Sequence, residues 1–270
     1  MSDLVTIDRK GGVADVRLNR PDKYNSLSTE MWVAIGEAGD QLKNDPSLRA
    51  VVLSGNGPGF CAGLDTSTFG SVASGSLPAG VEGSPLDPQG GRDSNFFQHA
   101  AHVWREIPVP VIAAVHGVAY GAGFQIAMGA DIRVAHPESR WSIMEIKWGL
   151  IPDVAITQTV RAVLREDVAK DLIFTGRVID ADEAQRLGVV TRVVGDPLAD
   201  ALESAEAIAG KNPMAIRHGK RMIHEAWHAT PAEGLALEAE LQREILCSPN
   251  QVEAVKANLE KRAPRFDDPN

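Results

Sequence analysis

Residues 116–132 read HGVAYGAGFQIAMGADI and combine the end of a strand, a glycine-rich turn and the start of a helix. Small residues in such a turn let backbone N–H groups face a ligand, and the helix N-terminus adds a positive field. The first polar side chain inside the predicted helix is Gln125, an amide that does not exchange a proton near neutral pH. The stretch therefore predicts an anion site built from backbone, with the acid–base chemistry located elsewhere.

The apolar patterns on either side of this stretch predict strands that alternate with helices. Residues 13–18 alternate between apolar and polar, as a half-buried strand does. Residues 49–55 and 109–117 are almost continuously apolar, as in strands buried on both faces, and residues 130–135 form a fourth strand. After residue 157 the pattern is mainly helical. This order predicts an α/β core followed by a helical C-terminal appendage.

The composition indicates a soluble globular protein, because 44% of the 270 residues are hydrophobic and 23% are charged. No apolar run reaches the roughly 18 residues of a membrane span, and MSDLVTIDRKGG at the start lacks the features of a signal peptide. We therefore expect a cytoplasmic protein with no membrane partner.

The net charge of −9 argues against nucleic acid as a partner, so an anionic substrate needs a local basic patch. Cys61 and Cys247 are too few for a disulfide framework or a cysteine-based metal site.

One long segment, residues 66–95, is dense in glycine, serine and proline. A loop of this length inside a compact domain is typical of a functional lid or a disordered insertion. We predict a flexible insertion close to the substrate pocket.

A second glycine-rich turn, SGNGPGFCAGLD at residues 54–65, also follows an apolar strand. Taken alone, it is better explained as an ordinary glycine-rich turn. Two such turns, each at the end of a buried strand, can bring two backbone amides together. Converging amides form an oxyanion hole, which stabilises negative charge that develops on a carbonyl oxygen.

The candidate acid–base groups lie in SIMEIKWGLIPD, residues 142–153. Glu145 has apolar neighbours on both sides, and Asp153 follows eight residues later. A carboxyl group in apolar surroundings has a raised pKa, which suits a general acid or base. The more common alternative for such a residue is a salt-bridged or surface-facing glutamate.

The segment HEAWH, residues 224–228, matches the H-E-x-x-H pattern of zinc proteases. Such short patterns often arise by chance, and neither Glu233 nor Glu238 is a convincing third ligand. His99 and His102 form a still weaker pair. We therefore predict no metal site and keep a zinc hydrolase only as an alternative.

Taken together, several long motifs in a fixed order resemble the crotonase superfamily, the enoyl-CoA hydratase/isomerase family. The segments that carry the resemblance are VRLNRPDKYNSLSTEM (16–31), FCAGLD (60–65), HGVAYGAGFQIAMGADIRVA (116–135), TGRVIDADEAQRLGVVTRVV (175–194) and ANLEKRAPRF (257–266). The resemblance implies a spiral of ββα units over residues 1–200 and a helical trimerisation region over residues 201–270. It also implies homotrimers or dimers of trimers, and acyl-CoA thioester substrates. Coenzyme A is then part of the substrate, and no separate cofactor is expected.

The resemblance also assigns expected roles to individual residues. The backbone N–H groups of Leu64 and Ala122 would form the oxyanion hole. Lys261 would reach coenzyme A bound to a neighbouring subunit, although a solvated surface lysine is an equal alternative. The residues expected to line the substrate and coenzyme A site are Ala62, Gly63, Asp65, Gly121 and Gln125.

The type of residue at position 125 indicates which reaction to expect. Hydratases of the family use two glutamates; one matches Glu145, and the other stands where this chain has Gln125. Isomerases that move a double bond can work with one carboxylate, and Asp153 has the spacing of a second proton carrier in dienoyl-CoA isomerases. We therefore favour an isomerase in which Glu145 and Asp153 are catalytic. The alternatives are a hydratase in which Gln125 places the water, a 3-hydroxyacyl-CoA hydrolase that GLIPDV resembles, and a non-catalytic acyl-CoA-binding protein.

Overall fold

A computed structural model describes residues 3–65 and 84–269 of the chain. Its main sheet has the strand order β1-β2-β3-β4-β6-β9, antiparallel between β1 and β2 and parallel elsewhere. A smaller sheet has the order β5-β7-β8. The strands are β1 Val5–Lys10, β2 Val13–Leu18, β3 Ala50–Gly55, β4 Val111–Val115, β5 Val118–Tyr120, β6 Ile132–Ala135, β7 Arg140–Ser142, β8 Ile179–Asp180 and β9 Arg192–Val193.

The helices separate these strands and then continue without strands to the C-terminal region, as predicted. They are α1 Thr29–Lys43, α2 Phe96–Glu106, α3 Ala122–Met128, α4 Ile156–Thr159, α5 Glu166–Thr175, α6 Ala181–Leu187, α7 Pro197–Ala209, α8 Pro213–Ala226, α9 Pro231–Ile245 and α10 Pro249–Leu259. Short 3₁₀ turns cover Pro21–Lys23 and Glu145–Trp148.

The predicted burial of β3 and β4 on both faces is confirmed. Side chains on one face, such as Val51 and Val111, join the large core that also contains α1 and α2. Side chains on the other face, such as Val52 and Ile112, pack under α7. Each strand needs apolar residues at every position because both of its faces are covered. The predicted boundary at residue 200 falls inside α7, and the division into two regions stays a prediction.

The carboxyl ends of β3 and β4 lead into the two glycine-rich turns. Because parallel strands end at the same edge of a sheet, the two turns lie side by side. Phe60 N donates to His116 O (2.9 Å), and the two segments approach so closely that a Cβ on Gly117 would lie 2.2 Å from Pro58 O. Gly117 also has φ +59°, so glycine suits this position on both counts.

The predicted insertion, residues 66–95, lies partly outside the described residues, which resume at Ser84. The part from 84 to 95 consists of turns and ends in a capping box, in which Asn95 accepts from Gln98 N (2.9 Å) at the start of α2. None of the helices within residues 3–65 and 84–269 combines the length and apolarity needed to cross a membrane.

The C-terminal helices α8, α9 and α10 leave large apolar side chains exposed. Trp227, Leu235 and Leu259 are all more than half exposed in the single chain. The chain after α10 returns to the surface next to β3, where Arg49 Nε donates to Asp268 Oδ1 (3.0 Å).

Candidate active site

The centre of the candidate site is a hydrogen-bonded pair formed by Gln125 on α3 and Glu145 at the start of a 3₁₀ turn. Gln125 is fully buried, and its Nε2 donates to Glu145 Oε1 (2.6 Å). Its Oε1 accepts from Val154 N (2.8 Å), the residue directly after Asp153. A single amide therefore fixes both the Glu145 carboxyl group and the backbone beside Asp153.

Glu145 is set up to exchange a proton near neutral pH. Burial raises its pKa to about 7, and the negative charge of Asp153 acts in the same direction. The hydrogen bonds from its own backbone and from Gln125 partly oppose this shift. Its second carboxyl oxygen, Oε2, is buried and has no hydrogen-bond partner among the described residues. That oxygen is free to receive or deliver a proton.

Asp153 lies close enough to Glu145 for its charge to affect the Glu145 pKa. More than a third of its surface is exposed, and burial of the remainder raises its pKa above the usual aspartate range. The two predicted carboxyl groups are thus brought to one place, with Glu145 in the more enclosed position.

Gly121 places the second glycine-rich turn against Glu145. Its backbone has φ +54° and ψ −121°, and its N–H donates to Ser142 O (2.9 Å). A Cβ at this position would lie 3.4 Å from Glu145 Oε1, and any side chain atoms beyond it would crowd the carboxyl group. A larger residue at position 121 would also be strained, since φ is positive.

The two glycine-rich turns meet at Gly63. Tyr120 N donates to Cys61 O (3.0 Å), which joins the segments. A Cβ on Gly63, where φ is +85°, would lie 2.6 Å from Tyr120 O and 3.6 Å from Ala122 N. The segment that contains Leu64 is therefore adjacent to the first residue of α3.

The two predicted oxyanion-hole amides belong to Leu64 and Ala122. Leu27 N donates to Gly63 O (2.8 Å) and Leu27 O accepts from Asp65 N (3.2 Å), which directs the intervening Leu64 N–H to the opposite side. Ala122 N is in the first turn of α3, where intrahelical partners are lacking. Within the described part of the chain, no backbone carbonyl accepts from either amide.

Asp65 has a different setting from the one expected for a residue lining a ligand channel. It is only 7% exposed and forms an ion pair with Arg20, while Ser26 Oγ lies 3.3 Å from its carboxylate. Its main contacts hold the 60–65 segment to the turn before α1.

Two positioning residues were missed from the sequence. Asn25 is fully buried with φ +54°, and its Nδ2 donates to Gly59 O (2.9 Å) while its Oδ1 accepts from Arg20 N (2.7 Å). Tyr24 O accepts from Ala62 N (2.9 Å). The run of turn-forming residues NRPDKYNS predicts a tight turn, but it does not indicate that this turn contacts Gly59 and Ala62.

Lys261 does not join the site in the single chain. It is exposed just beyond α10, and its backbone N donates to Asn258 O (3.3 Å). Its expected contact across subunits stays a prediction.

The histidines of HEAWH lie elsewhere: His224 is on α8, and His228 follows the end of that helix. His224 Nε2 is 3.2 Å from Asp131 Oδ1, and His99 is likewise 3.1 Å from Asp40. In residues 3–65 and 84–269, no three His, Cys, Asp or Glu side chains are placed to hold a metal ion together.

Comparison with known proteins gives a consistent result. Residues 8–269 match the family model for enoyl-CoA hydratase/isomerase. The chain is 34% identical over 265 residues to enoyl-CoA hydratase EchA19 of Mycobacterium tuberculosis, covering 96% of this chain and 95% of that one. It is 28% identical to a peroxisomal Delta(3,5)-Delta(2,4)-dienoyl-CoA isomerase of Arabidopsis thaliana, covering 98% and 96%. A crystal structure of a putative enoyl-CoA hydratase from Streptomyces coelicolor A3(2) superimposes with a TM-score of 0.86 at 29% identity, covering 98% and 94%.

Proposed function

Because the chain belongs to the enoyl-CoA hydratase/isomerase family and has the crotonase fold, we propose that it shifts a carbon–carbon double bond in an enoyl- or dienoyl-CoA. In this proposal Glu145 removes a proton from one carbon of the acyl chain and returns it at another. Asp153 serves as a second proton carrier when the substrate is a diene.

The proposed reaction begins with the thioester carbonyl oxygen between the N–H groups of Leu64 and Ala122. The Glu145 carboxylate removes an α- or γ-proton, and the electron pair of the broken C–H bond passes into an enolate. Two backbone donors stabilise the charge on the enolate oxygen. Glu145, now protonated, delivers the proton to the other end of the delocalised system, and the double bond ends at a new position.

The observation that carries this proposal is that both ends of the Gln125 amide are already engaged. Its Oε1 accepts from Val154 N and its Nε2 donates to Glu145. Hydration needs one group to activate water and another to supply a proton. Isomerisation needs one group that removes a proton from one carbon and then returns it to another. Glu145, with a pKa of about 7, has comparable amounts of its acid and base forms at neutral pH.

A second candidate is an enoyl-CoA hydratase, and the names of several relatives favour it. EchA19 and a short-chain-enoyl-CoA hydratase of Clostridium acetobutylicum, which is 34% identical over 268 residues, are both named for this activity. In this alternative, water is held by Glu145 with Asp153 or a backbone group, because the Gln125 Oε1 and Nε2 atoms each already form one hydrogen bond.

The proposed coenzyme A site uses the backbone of Ala62, Gly63 and Gly121, with Asp65 positioning the segment through Arg20. Lys261 of a neighbouring copy supplies positive charge for the phosphates. We propose homotrimers or dimers of trimers, an arrangement that would cover exposed apolar residues of α9 and α10 such as Leu235 and Leu259.

Three substrates distinguish the candidates: a 3-enoyl-CoA, a 3,5-dienoyl-CoA and crotonyl-CoA. We expect double-bond migration, followed by absorbance and product chromatography, to exceed hydration of crotonyl-CoA. Glu145→Gln should lower isomerisation by about 10²- to 10⁴-fold, whereas the control Glu138→Gln, at an exposed surface position, should not change it. Asp153→Asn should affect the diene more than the monoene. Hydration that outpaces isomerisation in the wild type would overturn the assignment in favour of the hydratase.

A further inference from the structure

A cavity of about 480 Å³ lies at the opposite end of the main sheet from Glu145. Pro110 and Asp131, which directly precede β4 and β6, form part of its wall, and α8 covers one side. Because the glycine-rich turns follow the carboxyl ends of the parallel strands, a cavity at the amino ends is separate from the acyl-CoA site. A volume of this size is in the range that holds a small organic ligand.

One part of the cavity wall is an ionic cluster of Lys220, Asp131 and His224. Lys220 Nζ donates to Asp131 Oδ2 (2.7 Å) and to the carbonyl oxygen of Val109 (3.0 Å). Asp131 also accepts from Val111 N (2.8 Å) and contacts His224 Nε2 (3.2 Å). Asp131, the sole carboxylate that lines the cavity among the described residues, is therefore already paired with Lys220 and His224.

Three further cations line the cavity without a carboxylate of their own. Arg133 is buried and donates to two carbonyl oxygens, Val189 O (2.6 Å) and Ala130 O (2.7 Å). Arg105 and Arg161 form no ion pair with any of the described residues. Burial lowers the pKa of Arg105; the charge of Asp131 opposes this shift, and the nearby charge of Arg161 adds to it. Burial likewise lowers the pKa of Arg133, to about 10.

This concentration of positive charge is unusual for a chain whose net charge is −9. Arg161 is exposed, whereas Arg105 is partly buried; a partly buried guanidinium group without an anion costs free energy, and a bound anion would relieve that cost. The planar fork of arginine matches a carboxylate particularly well.

The remaining walls are apolar, with side chains from Met128, Ile132, Ile216 and Ile223 and the exposed ring of Trp227. Such walls suit a hydrocarbon chain rather than a hydrated inorganic ion. We propose that this cavity binds the carboxylate of an aliphatic acid, with its charged end at Arg105 and Arg161 and its chain along α8.

The test is calorimetric titration of octanoate into the full-length protein at neutral pH and low salt. We expect saturable binding that persists when octanoyl-CoA fills the acyl-CoA site. Arg161→Glu should weaken binding at least about tenfold, as loss of a charge-assisted pair does. Arg165→Glu removes an exposed arginine four residues away, outside the cavity, and should leave the affinity unchanged.

Four results would overturn the proposal. The first is octanoate binding that octanoyl-CoA abolishes, since it would belong to the acyl-CoA site. The second is equal weakening by Arg161→Glu and Arg165→Glu. The third is tighter binding of inorganic phosphate than of octanoate. The fourth is a smaller assembly of Arg161→Glu in sedimentation velocity, because the cavity would then be an interface between copies of this chain. None of these results depends on which reaction Glu145 performs.

Discussion

Replacing Glu145 by glutamine should make the stability of the protein less dependent on pH. The glutamine amide can keep the hydrogen bond from Gln125, because Nε2 then donates to an amide oxygen of the same shape. The substitution therefore removes the ionisable group with little change in packing. What it eliminates is the cost of ionising a buried carboxyl group.

The magnitude follows from the pKa of Glu145, which burial raises from an ordinary value of 4.5 to about 7. A carboxyl group with a raised pKa holds its proton more tightly in the folded state. The unfolded chain therefore loses this proton first as pH rises, and folding becomes less favourable between the two pKa values. The free energy of unfolding should fall by about 2.5 kcal/mol between pH 5 and pH 8 through this group alone.

Denaturant unfolding of the wild type and Glu145→Gln at a fixed protein concentration measures this directly. The stability difference in favour of the variant should grow by about 2.5 kcal/mol from pH 5 to pH 8. Glu138→Gln, at an exposed position, is the matched control and should show no such growth. A difference that stays constant across this range would mean that Glu145 is already ionised in the folded protein, and the proposed neutral-pH proton exchange would fail.

Three further predictions concern the candidate site and the core. The kcat/KM for isomerisation should rise with pH and level off above about 7, because the base form of Glu145 starts the reaction; a flat profile from pH 5.5 to 8.5 would contradict this role. Gly63→Ala, where φ is +85° and a Cβ would lie 2.6 Å from a carbonyl oxygen, should cost at least about 1–3 kcal/mol of stability in thermal unfolding, while Gly195→Ala, which has open space, should not. Lys220→Met should cost about 3–5 kcal/mol by leaving Asp131 buried without its main partner, and Asp131→Asn in the same chain should restore part of the loss.

The strands that could be predicted are those whose apolar pattern extends over several residues. Strands β2, β3, β4 and β6 were each indicated by such a pattern. The edge strand Val5–Lys10 was not, because its second half is polar and exposed. The smaller sheet was also missed, since strands of two or three residues are too short to show a period.

The candidate site was predictable where its chemistry is local. The glycine-rich turns and the apolar neighbours of Glu145 are visible in short windows of sequence. The function of Gln125 is not, because its amide joins residues 20 and 29 positions away. The same holds for Arg20, whose partner Asp65 is 45 residues distant. Contacts of this kind exist only once the strands have brought their turns together.

The amide at position 125 has a consequence for the type of reaction. A glutamate there would keep the hydrogen bond from Val154 N and would place a second carboxyl oxygen about 2.6 Å from Glu145 Oε1. Two carboxyl groups at that distance share one proton, which raises the pKa of the pair and provides two oxygens that can hold water. The amide donates its own N–H instead, so Glu145 alone keeps an exchangeable proton. We therefore expect Gln125→Glu to shift the activity from isomerisation towards hydration, and a variant that gained no hydration would show that the water site needs more than a second acid.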